Sequence, residues 1–213
     1  MADARIGALV VADVQPDFMP GGALPTQEGE RVIEPITRLL ASPRFDLCVA
    51  TQDWHPPGHI SFASRHGRTP METIDLYGHE QTLWPDHCVQ GSAGAQLHPA
   101  LGWNRIAAII RKGADPDTDS YSGFRNNWNA QGNRPPTGLA GYLHERNISD
   151  IYLCGLARDI CVKWSAEDAV DAGFRTWYIW DATRPVDPQS DDRVRTELTA
   201  RGVHIIDMAE LDL

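Results

Sequence analysis

"IYLCGLARDICVKWSAEDAVDAG" occupies residues 151–173. Its first six residues are a nearly continuous apolar run, as in a strand buried on both faces. From Arg158 the pattern turns helical, and Gly173 reads as the C-terminal stop. A buried strand feeding a helix is the repeating unit of a parallel sheet, and the unit recurs along the chain. Further strand-like runs are "IGALVVAD" (6–13), "FDLCVATQD" (45–53), "IAAIIRKG" (106–113), "TWYIWDA" (176–182) and "VHIID" (203–207). Helical patterns lie at "TQEGERVIEPITRLLAS" (26–42), "TGLAGYLHERN" (137–147) and "DDRVRTELTARG" (191–202). In the first, Val32, Ile33, Ile36, Leu39 and Leu40 share a side and Pro35 predicts a kink. In the last, Gly202 is the stop. Strands alternating with helices imply right-handed crossovers. The fold class is therefore α/β, a three-layer α/β/α sandwich around a mostly parallel, about six-stranded Rossmann-like sheet.

With 213 residues the chain is expected to form a single domain, 1–213. Its 19 basic and 29 acidic side chains give a net charge of -10. That excludes non-specific affinity for nucleic acid or an anionic membrane, since like charges repel. The start, "MADARIGALVVADVQPDF", lacks the basic region and long apolar core of a signal peptide. No stretch nears the roughly 18 apolar residues of a membrane span. Four cysteines without a CxxC read as cytoplasmic thiols, so the expected location is cytoplasmic.

Two regions, 54–104 and 114–136, lack the strand–helix rhythm and are rich in Gly, Pro, His, Asn and Trp. Long irregular connections in a compact domain are usually functional. In an open parallel sheet ligands bind outside the carboxyl ends of the strands. The residues at those ends are Asp13, then Asp53 with His55, then Lys112, then Cys161 in the first turn of a helix. A helix N-terminus and a nearby lysine are expected to lower the thiol pKa, and Asp13 is placed to exchange a proton with it. Taken singly, each has an ordinary reading: a core cysteine, a turn cap, a surface lysine. Their common placement on one sheet edge carries the case. Cys48 and Cys154 read as core residues, and Cys88 stays open between core and site. Asp53 and His55, two apart on an extended segment, can face one ion. His87, in "WPDHCVQG", offers a third ligand. Oxygen and imidazole suit zinc, iron or manganese, whereas solvated loop histidines are the bland alternative.

Five segments then converge in order: "DVQPDFMPGGAL" (13–24), "VATQDWHPPGHISFAS" (49–64), "WPDHCVQGSAGAQLHPAL" (84–101), "RKGADPDTDSYSGF" (111–124) and "CGLARDICVKWSAEDAVDAGF" (154–174). The sequence resembles the nicotinamidase/pyrazinamidase family of the isochorismatase-like cysteine hydrolases. The resemblance implies a catalytic triad of Asp13, Lys112 and Cys161 and one divalent transition metal ion, zinc first, held by Asp53, His55 and His87. His59 falls where some members carry another histidine near the ion. The resemblance also implies a pocket of Phe18, Leu24, Trp84 and Tyr121, and a cis peptide between Leu156 and Ala157. The backbone amides of Ala157 and Cys161 then face an oxyanion. The implied activity is hydrolysis of nicotinamide to nicotinate and ammonia, with pyrazinamide as a further substrate, through a cysteine thioester and with the ion holding the pyridine nitrogen. The implied partner is a small-molecule amide, and a homodimer is compatible with it. "LARDIC" departs from the pattern at Arg158 and Ile160, which puts local detail and substrate range in question. Two rivals stand beside this reading: a metal-free amidohydrolase of the same superfamily acting on another small amide, and a non-catalytic metal-binding or redox-sensing protein.

Overall fold

The computed structural model describes residues 7–211. Ile6, read as the start of the first strand, lies outside them, as do the first residues of the expected leaderless start. Six parallel strands form one sheet: β1 (Gly7–Ala12), β2 (Leu47–Asp53), β5 (Ile106–Lys112), β6 (Asp150–Leu156), β7 (Arg175–Arg184) and β8 (His204–Ile206). Their spatial order is β5-β2-β1-β6-β7-β8. The chain steps outward from β1 through β2 to β5, returns to the middle at β6, and steps outward the other way. Connections therefore diverge between β1 and β6, and a crevice opens at their carboxyl ends.

The pleat distributes one strand over two cores. Leu9 and Val11 of β1 pack with Ile36, Leu39 and Leu40 of α1 (Ile33–Ala41). Ala8, Val10 and Ala12 pack on the other face. That face is covered by α3 (Leu139–His144), α4 (Lys163–Asp171) and α5 (Asp191–Ala200). Because both faces are covered, β1 and β6 are buried at every position, which is why they read as unbroken apolar runs. Gly173 and Gly202 end their helices with positive φ, 89° and 83°, a conformation that glycine adopts without steric cost.

Three details differ from expectation. Pro35 imposes no kink, because α1 starts at Ile33 and the proline falls in the first turn, where its missing N–H has no helical partner. β5 is an edge strand whose outer residues face solvent, with Ile109 49% exposed, so its apolar run does not mean burial on both faces. The irregular region 54–104 contains a one-turn helix, α2 (Ala63–His66), and an antiparallel hairpin, β3 (Thr73–Leu76) with β4 (His79–Thr82). Tyr77 and Gly78 both have positive φ and make its two-residue turn. Among the described residues no helix is long and apolar enough to cross a membrane.

Candidate active site

Adjacent strands deliver the site residues at their carboxyl ends. Asp13 follows β1, Asp53 ends β2 and Lys112 ends β5, with Asp53 and Lys112 opposite each other in register. Cys161 lies in a one-turn π-helix, Arg158–Val162, between β6 and α4. The peptide between Leu156 and Ala157 is cis.

Lys112 Nζ is the hub of this cluster. It lies 3.0 Å from Asp13 Oδ2, 2.5 Å from Asp53 Oδ1 and 3.5 Å from Cys161 Sγ, and it donates to the Ser120 carbonyl at 3.0 Å. Burial alone favours a neutral amine at Lys112, yet Asp13, Asp53 and Cys161 outweigh it and hold the pKa well above its usual value. Burial likewise works against a charged Asp53, but Lys112 and His55 hold its carboxyl well below the ordinary range. Asp13 moves the other way. Burial, reinforced by the Asp53 charge, raises its pKa against Lys112 and Thr51. Thr51 Oγ1 donates to Asp13 Oδ1 at 2.6 Å, while Oδ2 faces the Lys112 ammonium.

The thiol departs from expectation. Burial pushes the Cys161 pKa well above its ordinary value, and Asp13 and Asp53 add to that against Lys112 and the Ala157 amide. The carboxylates that neutralise the lysine also repel a thiolate. Cys161 therefore needs a base, and Asp13, Asp53 and Cys161 offer atoms within 4.8 Å of one another.

Asp53 also belongs to a second set. Its Oδ2 lies 3.5 Å from His55 Nε2 and 3.7 Å from His87 Nε2, and the three residues offer ligand atoms within 4.8 Å. Both rings are oriented from behind. His55 Nδ1 is 2.9 Å from the Gly113 carbonyl, and His87 Nδ1 is 2.8 Å from that of Pro85. A carbonyl only accepts, so each Nδ1 carries the hydrogen and each Nε2 is left facing the carboxylate. One carboxylate oxygen and two imidazole nitrogens fit a divalent transition metal. Burial opposes an imidazolium at His55, yet Asp53 raises its pKa above the ordinary value. The trio thus draws positive charge, which suits a cation as well as a proton.

The approach of Gly113 to His55 leaves no room for a side chain. Gly113 has φ 64°, and a Cβ there would collide with the His55 ring. Gln15 fixes the other end of the set, donating to the Asp53 carbonyl at 2.9 Å and accepting from the Asp53 N–H at 2.8 Å. His59 is fully buried, its ring centroid 4.3 Å from that of His55. Its two nitrogens sit 2.8 Å from Ser61 Oγ and 3.4 Å from the Thr118 carbonyl. Burial, with His55 beside it, brings its pKa down to about 4. Cys88 is a core residue: it is fully buried and its N–H donates to Asp17 at 2.7 Å.

A cavity opens between Cys161 and the Asp53–His55–His87 set. Phe18, Leu24, Trp84 and Tyr121 line it, and so does Ala157. Ile160 faces the cavity as well. Asp119, Ser120 and Val186 also line it and were missed from sequence. The first two adjoin Tyr121 within "DSYSGF", which is a usable signal; Val186 comes after Pro185 with no chemical signature. Thr51 and Gln15 were missed because their roles arise from hydrogen bonds, not from reactivity.

A buried cysteine, carboxylate and lysine at the switch point of a doubly wound parallel sheet define the class: cysteine hydrolases of the isochorismatase-like fold. The family model described as "Isochorismatase domain" matches residues 7–210. The chain is 45% identical over 208 residues to a nicotinamidase of Acinetobacter baylyi, covering 97% of this chain and 94% of that one. Its fold superposes with TM-score 0.90 on a nicotinamidase/pyrazinamidase of Acinetobacter baumanii, at 43% identity over 97% of this chain and 98% of that one. It also superposes with TM-score 0.76 on a pyrazinamidase of Pyrococcus horikoshii in complex with zinc, at 35% identity over 95% of this chain and 99% of that one. The chain belongs to the isochorismatase family and, within it, to the nicotinamidases.

Proposed function

We propose that this protein hydrolyses nicotinamide to nicotinate and ammonia, with Cys161 as nucleophile, Asp13 as proton carrier and Lys112 as the charge that holds them. One observation carries the reading: the buried Lys112 Nζ lies 3.0 Å from Asp13 Oδ2 and 3.5 Å from Cys161 Sγ, and Asp13 and Cys161 offer atoms within 4.8 Å of each other. Asp13 takes the thiol proton as sulfur attacks the carboxamide carbon. Lys112 beside both groups limits the cost of the charge that develops. The backbone amides of Ala157 and Cys161 receive the oxyanion, a contact worth about 3 kcal/mol per donor. Asp13 returns its proton to the amino group, the C–N bond breaks and ammonia leaves a thioester. A water then attacks the thioester carbon and passes a proton to Asp13. The C–S bond breaks, nicotinate departs, and Asp13 reprotonates the sulfur.

Phe18 and Trp84 supply apolar walls for a flat ring, and the relatives' names fit that cargo. Asp53, His55 and His87 are the residues that would hold a metal ion, zinc by analogy with the zinc-bound pyrazinamidase neighbour. When bound, the ion supplies a Lewis-acid contact to the pyridine nitrogen, which orients the ring. Pyrazinamide keeps that ring nitrogen and the carboxamide, so we include it as a substrate. We read residues 1–213 as one domain, supported by the family match across 7–210. A cytoplasmic location is supported by four cysteines that are all free thiols. Cys161→Ala tests the assignment: ammonia release is expected to vanish while the metal content stays that of the wild type. Turnover by the Ala variant overturns the nucleophile.

A further inference from the structure

We propose that Arg158 is a positioning residue that fixes the nucleophile turn and sets the width of the substrate cavity. The inference rests on the reading of Cys161 as nucleophile. Arg158 is only 6% exposed although it carries a full charge, and its side chain is absent from the cavity lining. Its guanidinium instead reaches across to the C-terminal end of β7 and the segment beyond it. Nε donates to Thr183 Oγ1 at 3.0 Å, Nη2 donates to the Thr183 carbonyl at 2.8 Å, and Nη1 pairs with Asp191 Oδ2 at 2.6 Å. The guanidinium carbon also lies 4.2 Å from the ring centroid of Trp180. The Arg158 carbonyl is held as well, accepting from Tyr178 Oη at 2.7 Å.

The next residue completes the clamp. Asp159 accepts from the N–H of Val186 at 2.9 Å and of Asp187 at 2.8 Å. Two consecutive residues of the Cys161 turn are thus tied to residues 178–191, one through a cationic fork and one through a carboxylate. Each tied segment contributes one apolar wall to the cavity: Ile160 from the turn and Val186 from the opposite segment. The same bonds that orient Cys161 therefore fix the gap between these walls. Lysine cannot reproduce the work of the fork, since it has one nitrogen where arginine presents three in a plane. Misplacement of a reacting group by about 1 Å can cost about 100-fold in rate.

The test uses Arg158→Lys in the metal-loaded, full-length protein, with three readouts. These are kcat and KM for nicotinamide, the rate of Cys161 alkylation by iodoacetamide, and the preference for nicotinamide over a ring-methylated analogue. Arg158→Lys is expected to lower kcat by about 10–100-fold with KM changed less, to alter the alkylation rate, and to narrow the preference. A folded Arg158→Lys protein with wild-type kcat, alkylation rate and preference overturns the proposal, even where its melting temperature falls. If that variant does not fold, Asp191→Asn carries the same test, because it weakens the fork from its half-exposed end. Wild-type protein that alkylates at Cys161 but releases no ammonia from nicotinamide overturns the proposed function alone. The alkylation rates of the variants then still decide the role of Arg158.

Discussion

Asp53 divides its two oxygens between two tasks: Oδ1 accepts from Lys112, while Oδ2 faces His55 and His87. The Lys112–Asp13–Cys161 cluster and the Asp53–His55–His87 set are therefore joined through one carboxylate, and neither can shift alone. Gly113 is the sharpest point of this arrangement, since its carbonyl orients His55 and its Cα admits no Cβ. Gly113→Ala is expected to weaken metal binding by about 10–100-fold, as loss of a supporting partner does. Titration with zinc under a competing chelator checks this, with circular dichroism confirming the fold; unchanged affinity contradicts the close approach. Asp13, Lys112, Cys161, Asp53 and His55 were legible in the sequence because each stands where a strand ends. The direction of the Cys161 pKa was not legible, because it depends first on burial of the thiol and then on two carboxylates brought close only by folding.

Among the secondary-structure elements, the runs that belong to central strands were read correctly because two-sided burial leaves an unbroken apolar signature. β5 was read as a strand but not as a half-exposed edge, and the β3–β4 hairpin was not read at all, since it is short and polar. β6 matters most among the strands, for it delivers the Cys161 turn, and its entry is pinned by Asp150. The Asp150 side chain is nearly sealed from solvent and accepts from Arg175, from Ser149 Oγ at 2.7 Å and from Trp177 Nε1 at 3.2 Å. Burial opposes its charge, but these bonds bring its pKa down to about 2 from an ordinary value of 3.8. A depressed carboxylate pKa stabilises the fold fully above the unfolded value and loses that contribution as pH falls through the folded one. Asp150→Asn is therefore expected to cost about 1–3 kcal/mol at neutral pH, because a neutral amide replaces a buried carboxylate that accepts charge-assisted hydrogen bonds. The difference from wild type should close as pH drops from 3.8 towards about 2. Urea unfolding across that range measures it, and a gap independent of pH contradicts the assignment.

Across the whole molecule, the divergence of connections between β1 and β6 places the crevice, and every chemical group of the site comes from the strands and loops at its mouth. The net charge of -10 suits a protein whose substrate is neutral and whose product is an anion to be expelled. The large irregular regions 54–104 and 114–136 are where the sheet gains its histidines, its pocket tyrosine and its Asp119. Ammonia release from nicotinamide by the purified protein, with total metal determined on the same sample, is the decisive measurement. Release is expected together with about one equivalent of a divalent transition metal, the number that one Asp–His–His set can hold. Metal-loaded, folded protein that releases no ammonia from nicotinamide contradicts the assignment of this site as a nicotinamidase centre.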